Sequence, residues 1–377
     1  MARLSYKELD KIKEHYDVDT VWSWSRVNTY VEQPWEFMIR YIRKERVDTS
    51  NIYTAGGQIT HQIIQGYIEG EHKQEDMLPM FQNEMLSIDL GGEYKFPSEN
   101  VRKGYVDNLK HYFKHTEYPV ETMEKSVEKT VMTKFKRPDG KNIIFVGYID
   151  LLTRDPKDGK VVIVDFKSSS SGGFVGKKLQ ESSRQLKLYA MGISQMYNIP
   201  INQIKIRYDM QKYVTVSYKQ KNGKWSKPSL KERCKWVESQ QNRIKKALTE
   251  SGYGLFDSDE MYERAVLDGD LDSLPQDVQD LFSIEAGIID MDMTEPLVEE
   301  MNEWIVSNVL EAERRSKAED LDAEFPEHRD IDNEFYFNVL APGLKPFNKA
   351  WAEKQELKRI MEDETVVDEF DFDSLFE

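Results

Sequence analysis

A chain of 377 residues with 39% hydrophobic and 11% aromatic side chains and a mean hydropathy of −0.68 can bury a sizeable core, and no apolar run approaches the roughly 20 residues of a membrane span. Its single cysteine, Cys234, excludes an internal disulfide and any four-cysteine iron–sulfur or zinc site built from this chain alone. The net charge of −16 hides an asymmetry: residues 101–250 hold 31 Lys and Arg against 15 Asp and Glu, the remainder 21 against 53, so a basic middle suited to a locally bound polyanion lies between acidic flanks.

In chain order, "MARLSYKELDKIKEHYD" is charged throughout and lacks the apolar centre of a secretory signal, so a cytoplasmic protein is expected. Residues 1–120 read as a helical region. Trp24, Val27, Tyr30 and Val31 form one stripe, with Ser23 or Ser25 as its cap; Pro34 breaks it, and Phe37, Met38, Tyr41 and Ile42 follow. In "GGQITHQIIQGYI", His61 shares a helical face with Ile64 and Ile68 and so points inward. Residues 121–250 form the predicted α/β or α+β core: strands in "KSVEKTVMTKF", "NIIFVGYIDLL" and "KVVIVDFK", a helix in "LQESSRQLKLYAMGISQMY", and strands in "QIKIRYDM" and "YVTVSYK". An amphipathic helix over 229–250 is predicted from the spacing of Leu230, Cys234, Val237, Ile244 and Leu248.

Residues 251–360 read as an acidic, mainly helical accessory region. Within it "DGDLDS" begins like a calcium loop, but Ser273 and Gln279 stand where that loop needs Gly and Glu, so an acidic turn is expected. The tail, residues 361–377, has eight acidic side chains and no basic one. It cannot bury enough surface to fold alone, and disorder is predicted; its embedded phenylalanines suit docking on a basic protein partner.

The chemistry concentrates in "VGYIDLLTRDPKDGKVVIVDFKSSS", residues 146–170. Pro156 and the Asp158–Gly159 pair signal a turn, and strands folded back about residue 157 or 158 have paired positions summing to about 315. Asp150 then faces Asp165, and like charges so placed repel unless a cation lies between them or one is protonated. Asp165 and Lys167 share a face of their strand. Two carboxylates beside an ammonium are the ligands that Mg²⁺ or Mn²⁺ prefers, and the set suits phosphodiester hydrolysis, with Lys167 holding or helping to deprotonate the attacking water and offsetting transition-state charge. Beyond the strand, "SSSSGGFVGKK" is a flexible loop rich in backbone donors, and Lys177, Lys178 and Arg184 are placed to contact phosphates without reading sequence.

Five segments in order resemble the RecB-like, Cas4-like branch of the PD-(D/E)XK nuclease superfamily: "SWSRVNTYVEQPWEFMIRYI" (23–42), "GGQITH" (56–61), "GYID" (147–150), "DFK" (165–167) and "QLKLY" (185–189). The resemblance spans about residues 20–220. It implies a restriction-endonuclease-like α/β fold, a central mixed sheet flanked by helices with helical N-terminal and C-terminal additions. It also implies His61 as third metal ligand beside Asp150 and Asp165, and Gln185 with Tyr189 orienting the DNA backbone or Lys167. Glu128 stands where relatives carry an acidic residue, which implies a metal or water contact. Many relatives hold an iron–sulfur cluster; here Gln33 precedes Pro34 and the C-terminal region lacks cysteine, so the helices near 23–42 and 325–360 must be held by packing. No phosphate-loop signature of a helicase motor is present. The expected activity is that of a metal-dependent DNA nuclease, an exonuclease on single-stranded or end-containing DNA in recombination, repair or replication of a bacterium or phage. Its rivals are a catalytically silent DNA- or protein-binding module and a structure-specific endonuclease.

Overall fold

The structure, a computed structural model, describes residues 3–92, 94–327 and 335–367. From the N-terminus come α1 (Tyr6–Tyr16), β1 (Val21–Trp22), α2 (Trp24–Glu32), α3 (Pro34–Phe37), α4 (Ile52–Glu69), α5 (Gln74–Gly91) and α6 (Glu99–His115). The central run is β2 (Lys125–Lys136), β3 (Asn142–Arg154), β4 (Val161–Lys167), α7 (Gly176–Ser182), α8 (Arg184–Tyr197), β5 (Ile204–Tyr218) and β6 (Ser229–Glu232). After it come α9 (Gln241–Glu250), α10 (Leu255–Asp268), α11 (Gln276–Gln279), β7 (Phe282–Asp292), α12 (Glu295–Arg315), α13 (Leu321–Glu324) and α14 (Lys349–Val367).

Among the described residues seven strands form one mixed sheet, a restriction-endonuclease-like arrangement flanked by helices. β2, β3 and β4 are antiparallel neighbours, while β4 and β5 run parallel and are joined by the α7–α8 crossover. That pattern follows from composition: β4 is buried along nearly its whole length, as a strand covered on both faces must be. The β3–β4 turn is fastened by Asp155, which is 4% exposed and takes contacts from Lys205 Nζ at 2.7 Å and Arg207 Nη2 at 3.0 Å. The hydrogen bond from Lys205 leads in holding its carboxyl down at about 2.

The chain divides into two compact units, Met1–Ser23 with Ala55–Trp304, and Trp24–Thr54 with Ile305–Glu377. The first contains the sheet and the candidate site. In the second, an aromatic core joins the two segments predicted to depend on packing. Phe37 lies 6.0 Å from Phe325 and Phe337 5.7 Å from Trp351, centroid to centroid. Buried Glu36 takes Arg40 at 2.7 Å and the Tyr336 hydroxyl at 2.7 Å.

Three stretches differ in detail from expectation. The helix over 229–250 is only α9; Leu230 instead pairs with Thr215 of β5, and Trp236 is buried with its Nε1 donating to the Gly269 carbonyl at 2.8 Å. The edge of the sheet and a tertiary pocket for Trp236 outweigh helical periodicity there. The acidic stretch from 251 also supplies β7, an antiparallel partner of β5. The loop after β4, expected to be flexible, is tied down: the Ser171 amide donates to the Tyr213 hydroxyl at 3.0 Å, the Ser182 hydroxyl donates to the Gly173 carbonyl at 2.6 Å, and Phe174 meets Tyr208 edge-on at 4.7 Å. Of the tail, residues 361–367 end α14; the predicted disorder over 368–377 lies outside the described residues.

Candidate active site

The β3–β4 pairs sum to 315, from Arg154–Val161 to Leu151–Val164, and there the ladder ends although both strands continue. Asp150 and Asp165 occupy the next position, where the strands part. Instead of a main-chain bond, the Asp150 carboxylate reaches across and accepts the Phe166 amide at 3.1 Å. Charge repulsion between opposed carboxylates and this side-chain cap together account for the opening.

The electrostatics at the fork are unbalanced. Burial, followed by the neighbouring charge of Asp165, pushes the Asp150 carboxyl up to about 6. Asp165 is 6% exposed, and Lys167 Nζ stands 2.7 Å from its Oδ2 in a close ion pair. For Lys167, burial opposes the charge and the Asp165 and Asp150 carboxylates outweigh it, so its pKa is raised. Lys167 is therefore a firm ammonium.

His61, on α4, closes the third side. Its Nε2 lies 2.7 Å from the Phe166 carbonyl oxygen and its Nδ1 3.5 Å from Asp150 Oδ2. A carbonyl only accepts, so Nε2 is the nitrogen that donates to Phe166 and Nδ1 is turned toward the acid, as when a second group orients a metal-binding imidazole. Among the described residues no three His, Cys, Asp or Glu side chains make a ready-made metal-binding group. The residues nevertheless fit a hard divalent cation: two opposed carboxylates share a buried fork, that of Asp150 is held up by burial and then by the charge of Asp165, and Mg²⁺ needs only one or two protein carboxylates beside water.

The remaining candidates lie at graded distances. Gln185 Nε2 donates to the Tyr189 hydroxyl at 3.2 Å; burial leads in pushing that phenol up to about 12, with Asp165 and Asp150 among the charges acting on it. A Cβ on Gly147 would sit 2.3 Å from Tyr189 Cε1, so the glycine of "GYID" is where the tyrosine ring rests on β3. Glu128 of β2 falls where Asp150 would pair, between the pairs Val127–Leu151 and Lys129–Ile149, and takes a left-handed φ of 48°, a costly conformation for a residue other than Gly in a strand. Lys177 and Lys178 are exposed on α7. Arg184 is not extended to solvent; its guanidinium stacks 4.7 Å above the Trp304 ring.

Sequence reasoning missed the main chain of Phe166, which binds both His61 and Asp150 and leaves no side-chain signature. It also missed Asp209, 2% exposed on β5, which accepts hydrogen bonds from the hydroxyls of Tyr112 and Tyr118 and whose pKa burial raises. A lone Asp in an apolar strand was its only signal.

A family model described as the PD-(D/E)XK nuclease superfamily matches residues 21–286. No curated protein matches the chain. With a matched span that runs from β1 into β7 and encloses the fork of Asp150, Asp165 and Lys167, the chain belongs to the PD-(D/E)XK nuclease superfamily.

Proposed function

We propose that this chain is a metal-dependent DNA nuclease of the RecB-like, Cas4-like branch, acting as an exonuclease on DNA with free ends in recombination, repair or replication of a bacterium or phage. The observation that carries the hydrolytic reading is the buried, opposed pair of Asp150 and Asp165, with Lys167 Nζ 2.7 Å from Asp165 Oδ2 and His61 Nδ1 3.5 Å from Asp150 Oδ2. Asp150, Asp165 and His61 would hold Mg²⁺ or Mn²⁺. When bound, such an ion supplies a more acidic water and polarises a phosphoryl oxygen. Lys167, with its raised pKa, holds the attacking water by hydrogen bonding and offsets phosphorane charge, in preference to removing a proton. Gln185 and Tyr189 fix the position of Lys167 and the DNA backbone. Glu128 contacts the ion or its water, and Lys177, Lys178 and Arg184 meet phosphates. The exonuclease preference, the branch and the biological setting rest on the motif resemblance.

The test is cleavage of linear and covalently closed circular DNA with Mg²⁺, with Mn²⁺ and with EDTA. Digestion of the linear form alone, stopped by EDTA, is expected; cutting of the circle would replace the exonuclease reading by an endonuclease. Asp165→Ala and Lys167→Ala should each lose about 10³-fold or more in kcat, the scale of removing a transition-state contact, with unfolding temperatures retained. Cleavage at the wild-type rate by both variants would refute the assignment.

A further inference from the structure

Outside the fork, β5 carries a cation that, among the described residues, no carboxylate contacts directly. Lys212 is half-buried where the β5–β7 ladder breaks between Asp209 and Val214. Its Nζ stands 5.3 Å from the centre of the Tyr105 ring, and among the described residues it has no hydrogen bond or ion pair to a carboxylate. Burial leads in lowering its pKa, opposed by the charge of Glu232. Glu232 is itself 2.9 Å from Lys235. A half-buried ammonium with no carboxylate in direct contact pays a desolvation cost that an incoming anion would offset.

Its position relates it to the reaction. Met210 is the ladder partner of Lys167, and Lys212 lies two residues beyond, about 7 Å along a strand. Tyr105, beneath the ammonium, donates its hydroxyl to Ser168 Oγ at 3.2 Å, and Ser168 directly follows Lys167. Ser168 also borders α4, where a Cβ on Gly57 would lie 3.8 Å from its Oγ and meet nothing closer; His61 is one helical turn further on.

We propose that Lys212 binds a backbone phosphate of the DNA strand next to the scissile one, on the Ser168 side of the fork, and so positions the strand for cleavage. The inference rests on the nuclease reading for its substrate. Tyr105 fixes the direction of the ammonium through a cation–π contact. A phosphate contact of this kind holds register without reading sequence.

The experiment measures binding of a fluorescent single-stranded oligonucleotide in Ca²⁺ across a salt series, and KM and kcat with Mg²⁺, for Lys212→Met, Lys212→Arg and the control Lys157→Met on the exposed β3–β4 turn. Lys212→Met keeps the apolar stem over Tyr105 and removes the charge. It is expected to weaken binding about 5- to 20-fold, to flatten the slope of log K against log salt by about 0.7, the single-strand value per phosphate, and to raise KM with kcat within about twofold. Lys212→Arg restores both, and Lys157→Met leaves both unchanged. Unaltered affinity and slope in Lys212→Met would overturn the proposal, as would an equal loss in the control, or a Lys212→Arg protein as weak as Lys212→Met. DNA bound with the Lys212-dependent slope but never cut would sink the nuclease reading and leave this inference standing; DNA cut normally by a Lys212→Met protein of unchanged KM would do the reverse.

Discussion

Asp150 is the residue at which folding and function oppose each other. Its carboxyl titrates near 6 in the folded chain, against 3.8 when free, because it is buried facing Asp165. The native state therefore binds this proton more tightly than the unfolded chain. Stability is highest when the group is protonated, falls as pH rises from about 4 to about 6, and is level above that. Asp150→Asn removes the charge and keeps an oxygen for the Phe166 amide. In EDTA at pH 8 the variant should be more stable than the parent by on the order of 1–3 kcal/mol, with the gain fading toward pH 4, while cleavage is lost. Urea unfolding at the two pH values measures this; an Asn protein less stable at pH 8 would show that the carboxylates are not in conflict. The opposed pair could be read from the sequence because Pro156 and Asp158–Gly159 fix the hairpin register by local chemistry. The Phe166 main-chain contacts could not, since any residue has the same backbone. Nor could the left-handed φ of Glu128, which tertiary context imposes.

At the scale of elements, the branch motifs acquire separate physical reasons. Gly147 and Tyr189 are one contact: a methyl at 147 would fall 2.3 Å from Tyr189 Cε1, and the ring is 7% exposed with its hydroxyl held by Gln185. Gly147→Ala should therefore cost about 1–3 kcal/mol, the usual cost of overpacking, and reduce kcat by tilting the Gln185–Tyr189 pair. Adding Tyr189→Leu to Gly147→Ala should recover stability without recovering activity, a non-additivity that thermal melts and initial rates read together. Full activity in Gly147→Ala would mean that the ring position does not matter for chemistry. The spacing of "GYID" and "QLKLY" made both residues visible in the sequence, but their mutual contact depends on how α8 packs on β2. There the Thr133 hydroxyl donates to the Leu188 carbonyl at 2.9 Å, and a Cβ on Gly192 would lie 2.5 Å from Val131 Cγ2. The same dependence on long-range pairing hid β6 and β7. Leu230 fits a helix by periodicity and a strand by its neighbour Thr215, and only the second partner is invisible to a local window.

For the whole molecule, net charge and function point in opposite directions until the charge is resolved along the chain. A protein of net charge −16 should repel DNA at long range, yet the surplus of Lys and Arg over residues 101–250 includes Lys167, Lys177, Lys178 and Lys212, all of which lie in the first unit. Local potential governs contact, while the acidic remainder acts through a field that salt screens within about 8 Å at physiological ionic strength. The two effects separate in a salt titration. Counterion release at three or four phosphate contacts should make log K fall with log salt at a slope of about −2 to −3, and long-range repulsion should flatten that fall at the lowest salt, where the screening length exceeds about 10 Å. Affinity for an oligonucleotide is therefore expected to level off below roughly 0.05 M salt instead of continuing to rise as it does for proteins of uniform positive charge. Fluorescence anisotropy from low to moderate salt measures the curve. A straight line of slope near −2 to −3 throughout would remove the acidic flanks from the account of binding, and a slope near zero would remove the basic middle.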